Sequence, residues 1–424
     1  MLLRTFAAAA VAAWMLTGCG NSANSTGPAV PNAERAALPA PGKTAGDDAA
    51  SRAVRIAREQ IIVDTHVDVP YRVDEEYVDV AAATDGGDFD YPRAVAGGLN
   101  APFMSIYTST DHADRGESFL VANRLIDQVE ALAAANPDKF AIALGPADVR
   151  SQFGRGLISL PMGMENGSPL EGKLENVAYF ADRGIRYITL AHGKSNRLAD
   201  SSYDDNEQWD GLSHFGAEVV REMNRLGVMV DVSHLSDAAF YDVLDVSAAP
   251  VIASHSSARH FTPGFERNMS DEMILALAEN GGLIMINFGS SFITAEANAY
   301  STARSDAADK YRAAHPELTE DEVDDVFADI YAAEHGPYPY ATTDDVLDHF
   351  DHVVRLVGVD HLGIGSDYDG VGDSLPRGLE DVSAYPNLVR GLLERGYGEP
   401  DIAKILGENL LRVWATVEAQ AAGS

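Results

Sequence analysis

The chain has 424 residues, of which 31 are lysine or arginine and 65 are aspartate or glutamate, giving a formal net charge of −34. Such an acidic balance excludes binding to nucleic acid or an anionic membrane through a basic surface. Apolar residues make up 46% of the chain, enough for a large core, and the length suits either two or three average domains or one α/β barrel with additions.

Residues 1–19 read as an export signal. Arg4 supplies positive charge, FAAAAVAAWM is an apolar run too short to persist as a spanning helix, and LTGC (residues 16–19) closes the segment. LTGC resembles the lipobox of bacterial lipoproteins, in which the cysteine is diacylated and becomes the new N-terminus. Cys19 is the only cysteine, so an intrachain disulfide is excluded and lipidation is its most economical role. The expected location is the cell envelope, lipid-anchored to a membrane and facing the periplasm or exterior. Gly20, which stands where inner-membrane retention favours aspartate, points to the outer membrane. Residues 20–50, rich in Pro, Gly, Ala and Ser without apolar periodicity, read as a flexible linker. A folded domain is expected over residues 51–418, and 419–424 as a loose tail.

From residue 60 onward, short apolar runs alternate with amphipathic stretches. Strands are predicted at 61–69, 101–107, 157–166, 185–192, 228–234, 250–256, 282–288 and 361–367. Helices are predicted between them, among others at 114–135, 172–183, 213–226, 236–246, 270–280 and 343–357. Eight strands alternating with helices predict an α/β fold of the (β/α)8 TIM-like barrel type. FAIAL at 140–144 is a ninth strand candidate, and residues 290–342 read as a mostly helical insertion after strand seven.

The polar residues fall in a telling place. His66 and Asp68 lie toward the end of the first predicted strand, two residues apart and therefore on one face. Glu165 lies near the end of the third, His192 ends the fourth, His234 the fifth, His255 is near the end of the sixth, and Asp367 ends the eighth. Barrel enzymes assemble their active sites at the C-terminal ends of the strands. A single strand-end histidine is ordinarily structural, and His66 with Asp68 can be a simple hydrogen-bonded pair; the joint placement carries the argument. Three imidazoles and three carboxylates (His66, Asp68, Glu165, His234, His255, Asp367) suit Zn²⁺ or a similar divalent metal, and they outnumber the needs of one four-coordinate ion. Two ions bridged by a carboxylate and a hydroxide would use them all, in hydrolysis of an amide or ester. The remaining histidines, including His260, His349 and His352, read as surface or structural residues. GKS at 193–195 lacks the upstream glycine of a P-loop, with Ile188 in its place, and no G-x-S-x-G elbow occurs.

DTHVD, GMEN, YITLAH, DVSHLS, SHSSAR, ERNMSDE, GGLIMINF, GIGSDYDG and GENLLRVW occur in that order over residues 56–418. In this the sequence resembles the membrane dipeptidase (renal dipeptidase, peptidase M19) family of amidohydrolase-like metallohydrolases. The resemblance implies two Zn²⁺ per chain, with His66 and Asp68 on one ion, Glu165 bridging, and His234 and His255 on the other. It implies that Asp367 contacts the first ion and acts as general base, then as proton donor to the leaving amine. His192 would stabilise the oxyanion and bind substrate, and Arg267 would hold the C-terminal carboxylate of a dipeptide. The bridging hydroxide would attack the peptide carbonyl. Acceptance of a C-terminal D-residue and homodimer formation are carried over as expectations. Asn166 stands where many relatives have glycine, and LAHGKSNRLADSS departs from better-known members, which places the differences in loops over the site. The alternatives are an amidohydrolase for another small amide, lactam or N-acyl amino acid, and a non-catalytic envelope lipoprotein that binds metal or peptide.

Overall fold

The computed structural model describes residues 48–317 and 320–423. Cys19, the lipobox and residues 20–47 of the expected linker lie outside the described residues.

Among the described residues ten strands form: β1 (Ile62–Val67), β2 (Leu99–Tyr107), β3 (Phe140–Ile142), β4 (Ile158–Leu160), β5 (Met162–Glu165), β6 (Ile185–Thr189), β7 (Met229–Asp231), β8 (Ile252–Ala253), β9 (Leu283–Ile286) and β10 (Leu362–Ile364). Eight of them close into a parallel barrel in the order β1–β10–β9–β8–β7–β6–β5–β2. Each barrel strand is buried on both faces, as a parallel sheet covered by helices requires, which is why the strands read as apolar runs rather than alternations. The chain therefore folds as the (β/α)8 barrel that its alternating pattern predicts.

Two differences from the sequence reading have local causes. The expected strand 157–166 is two strands, separated at Pro161, which has no N–H to continue a ladder. Pro161 still accepts a bond from the Met104 N–H at 2.8 Å, while β4 turns aside and pairs with β3 outside the barrel. FAIAL is thus a strand, but not a stave. Second, several barrel strands stop short of the chemistry. β6, β7, β8 and β10 end at Thr189, Asp231, Ala253 and Ile364, so His192, His234, His255 and Asp367 sit on the loops that follow. His234 (φ 69°) and Asp367 (φ 66°) are left-handed, a conformation that ends a strand.

The helices His214–Leu226, Asp237–Val246, Asp271–Glu279 and Thr343–Val357 start where predicted because Ser213, Ser236, Ser270 and Thr342 cap them through side-chain oxygens. Residues 290–342 form the expected helical insertion after the seventh barrel strand, with helices Ser290–Ile293, Ala295–Ala314 and Glu320–His335. The last helix, Asn409–Ala422, runs through residues expected to be a loose tail. It buries Trp414 completely and closes the barrel floor. The Trp414 ring lies 5.3 Å from Phe103, which lies 5.5 Å from Tyr187. No helix among the described residues is long and apolar enough to cross a membrane.

Candidate active site

His66 leaves β1 with its ring fully buried, and its two nitrogens have different tasks. Nδ1 lies 2.8 Å from the Tyr187 hydroxyl, which donates its own hydrogen to the Thr65 carbonyl at 2.9 Å. The Tyr187 oxygen therefore accepts from Nδ1–H, leaving Nε2 as the nitrogen that faces the cleft. Nε2 is a buried atom with no hydrogen-bond partner, although it lies 3.4 Å from Asp68 Oδ2 and 3.3 Å from Glu165 Oε2. A ring nitrogen held against two carboxylates calls for a cation, either a proton or a metal ion. Burial opposes charge on His66, but the Tyr187 oxygen, Glu165 and Asp68 outweigh it and raise the pKa well above the ordinary value. The reach of Tyr187 across the barrel depends on Gly163, where a Cβ would come within 2.0 Å of the tyrosine ring. Tyr187→Phe should therefore weaken metal binding by about 10–100-fold, read by titration of stripped protein; unchanged affinity would assign the hydroxyl to packing alone.

Asp64 supports the same region through the backbone. Its Oδ1 accepts from the N–H of His66 (3.1 Å) and of Ser366 (2.9 Å), and the Tyr385 hydroxyl donates to Oδ2. It thus ties β1 to the segment that carries Asp367. The Thr65 hydroxyl lies between the carbonyls of Ser254 and Ile364 and ties β1 to β8 and β10.

Glu165 ends β5 at the centre of the cluster. Its Oε2 faces His66, whereas Oε1 lies 3.1 Å from His234 Nε2, 3.3 Å from His255 Nε2 and 3.6 Å from His192 Nε2. Burial works against its charge, but His66 and His192, with His234 and His255 beside them, hold it well below the usual carboxylate range. His234 Nε2 and His255 Nε2 stand only 2.8 Å apart. The His255 tautomer is fixed from behind. Ser254 Oγ donates to Asp231 Oδ2 at 2.6 Å, so it accepts from His255 Nδ1–H at 2.7 Å, and Nε2 is left with a lone pair. Burial, together with Arg267 and neighbouring imidazoles, pushes both histidines well below the ordinary pKa and holds them in the neutral form that binds metals.

Asp68 and Asp367 complete the floor of the cleft. Asp367 Oδ2 accepts from Asn287 Nδ2 at 2.7 Å, and Oδ1 lies 4.0 Å from His66 Nε2. Burial first, then the charges of Asp68 and Glu165, push its carboxyl up to about 7 against the pull of His66. Gly370 belongs to this arrangement, since a Cβ there would come within 2.3 Å of both Asp367 Oδ1 and Asp68 Oδ2. His192 stands at the rim, its ring 4.3 Å from His234 and 4.8 Å from Tyr107, with burial holding its pKa below the ordinary value. Asn166, the residue after Glu165, has φ 73°. Glycine and asparagine are among the residues that enter this region most readily, which accounts for the exchange noted in the sequence. The cleft, about 590 Å³, is lined by these groups and by Tyr71, Tyr203, Phe292 and Val371.

Arg267 sits deeper than most of the other expected site residues. It is 2% exposed. Nη1 donates to Ser256 Oγ at 2.7 Å, and Nη2 lies 2.8 Å from the His255 carbonyl and 2.9 Å from His234 Nε2. Its Nε–H is a buried donor without an acceptor, and the guanidinium lies 5.3 Å over Phe292, a cleft residue. Sequence reasoning missed Tyr187, Asp231, Ser254 and Asn287 as supports. The available signal was a polar side chain inside an otherwise apolar strand, as with Tyr187 in YIT and Asp231 in VMVD.

Three overlapping groups here could each hold a metal ion: His66–Asp68–Glu165, Glu165–His192–His234 and His66–His255–Asp367. The partnerless His66 Nε2 and the facing lone-pair nitrogens of the histidines show that the residues fit such ions. The sequence has clear relatives. It is 33% identical over 373 residues to an uncharacterized dipeptidase of Schizosaccharomyces pombe, covering 84% of this chain and 81% of the relative. It is 35% identical over 347 residues to dipeptidase tcpJ of Claviceps purpurea, covering 79% and 71%. The fold matches the crystal structure of the probable dipeptidase PvdM from Pseudomonas aeruginosa with a TM-score of 0.74 and 26% identity, over 88% of this chain and 99% of that one. The family model of the membrane dipeptidases matches residues 50–424, and the chain belongs to that family of metallo-dipeptidases, peptidase family M19.

Proposed function

We propose that this metallo-dipeptidase works with two zinc ions, one held by His66, Asp68 and Glu165 and the other by Glu165, His234 and His255, with Asp367 beside the first. The observation that carries this reading is the division of Glu165, whose Oε2 faces His66 while Oε1 faces His234 and His255. Bound ions supply a nucleophilic water of lowered pKa and polarise the scissile carbonyl. The chain supplies the rest. Asp367, with its carboxyl near neutrality, takes a proton from the nucleophile and returns it to the leaving amine. His192, held neutral at the rim, donates to the carbonyl oxygen as charge develops there.

Arg267 holds the C-terminal carboxylate of the substrate, and its unengaged Nε–H and buried charge support that assignment. A fixed cation one residue beyond the scissile bond selects dipeptides, and the family resemblance extends this to a C-terminal D-residue. The test is a panel of L,L and L,D dipeptides with the zinc-loaded enzyme, set against small amides and lactams without a free carboxylate. Arg267→Ala should raise KM by 10-fold or more, on the order of the 1.5–3 kcal/mol of a charged hydrogen bond, for dipeptides only. A uniform loss on all substrates would remove the carboxylate assignment. The same proposal places the enzyme in the cell envelope, anchored by lipid at Cys19 and favouring the outer membrane. That placement rests on LTGC and the apolar run before it.

A further inference from the structure

We propose that His260, Asp271 and His352 form a separate, solvent-open site for a transition-metal ion of the Zn²⁺ type, remote in chemistry from the dipeptide cleft. None of the three lines that cleft. They come from three elements: His260 from the turn Arg259–Phe261 after β8, Asp271 from the first turn of the helix Asp271–Glu279, and His352 from the helix Thr343–Val357. One ligand atom from each lies within 4.8 Å of the other two.

An ordinary ion pair accounts for only part of this. His352 Nε2 lies 2.7 Å from Asp271 Oδ1. His260 is exposed and makes no hydrogen bond among the described residues. It nonetheless lies face-on against His352, with centroids 4.3 Å apart and planes 21° from parallel. Small rotations of the two rings would turn one nitrogen of each toward a single ion beside Asp271. Two imidazoles and a carboxylate are the donors of many three-ligand zinc sites, with further positions left for water.

The frame is rigid before any ligand arrives. His349, one turn before His352, accepts from the Ala258 N–H at 3.1 Å through Nδ1 and donates to the Ile293 carbonyl at 2.9 Å through Nε2. It therefore pins the segment carrying His260 to the helix carrying His352. The Phe261 ring packs 4.3 Å from His349 and 5.6 Å from His352. Ser270 caps the helix of Asp271, accepting from the Met273 N–H. An ion here would stiffen the segment that runs from residue 259 to Arg267.

The test uses the full-length protein, stripped with a chelator and dialysed to equilibrium against Zn²⁺. Wild type should bind one ion per chain more than His260→Ala, and one more than Asp271→Asn. Because the result is a difference, it holds whatever number the cleft binds. In a Glu165→Gln background, excess Zn²⁺ should raise Tm by more than it does when His260→Ala is added. His260 is exposed, so its variant should fold, and Asp271→Asn checks the same site from another element. Equal zinc content in wild type and both variants, or equal Tm shifts in the two backgrounds, would overturn the proposal.

Discussion

Glu165→Gln is expected to cut dipeptide hydrolysis by about 10³-fold or more and to remove at least one of the two metal ions proposed for the cleft. Glutamine matches the shape of glutamate, so packing beneath the cleft should survive. What changes is charge and lone pairs. Oε2 faces His66 Nε2 at 3.3 Å, and Oε1 faces His234 and His255 at 3.1 and 3.3 Å. An amide can present an acceptor to one side only and must turn N–H donors toward the other. The neutral histidines would then face a group with no charge to share. Elemental analysis and kcat/KM on the same preparation decide the matter. Two ions and near-normal turnover would show that Glu165 does not bridge.

Asp367→Asn should lower kcat by about 10²–10⁴-fold, the usual contribution of a general acid–base group, with KM little changed. The amide oxygen can keep the bond from Asn287 Nδ2, now 2.7 Å long, so the loop geometry should hold. The ability to carry a proton is lost. Metal content separates the two roles given to this residue. If both ions stay and kcat falls, Asp367 moves the proton; if an ion leaves with the activity, its main work is ligation. Turnover within a few-fold of wild type would remove both.

The barrel, and the polar residues that meet at its mouth, were legible because they follow local rules. Apolar runs mark staves buried on both faces, and serine or threonine caps fix where helices begin. Hydrophilic residues at the ends of such runs, in HVD, GMEN, DVSH, SHS and GSD, have no core to join. What could not be read depends on partners distant in sequence. Nothing in YITLAH says that the Tyr187 hydroxyl spans the barrel to His66, 121 positions away, or that Gly163 clears its path. The strand ends were overestimated because the residues at 234 and 367 look extended by composition. Their left-handed backbones follow from the loops they must join. Arg267 could be placed on a motif, but its anchoring beside His234 by Ser256 and the His255 carbonyl could not.

The stack on the barrel floor has a wider consequence. Trp414, Phe103 and Tyr187 touch in series, and Tyr187 ends on the ring of His66. The enzyme's last helix is therefore wired to His66 by aromatic side chains alone. Core and catalyst are not separate compartments along this line. A substitution that opens a hole under Phe103 would register as altered metal affinity, and a screen for heat tolerance would select among catalytic variants without being asked to.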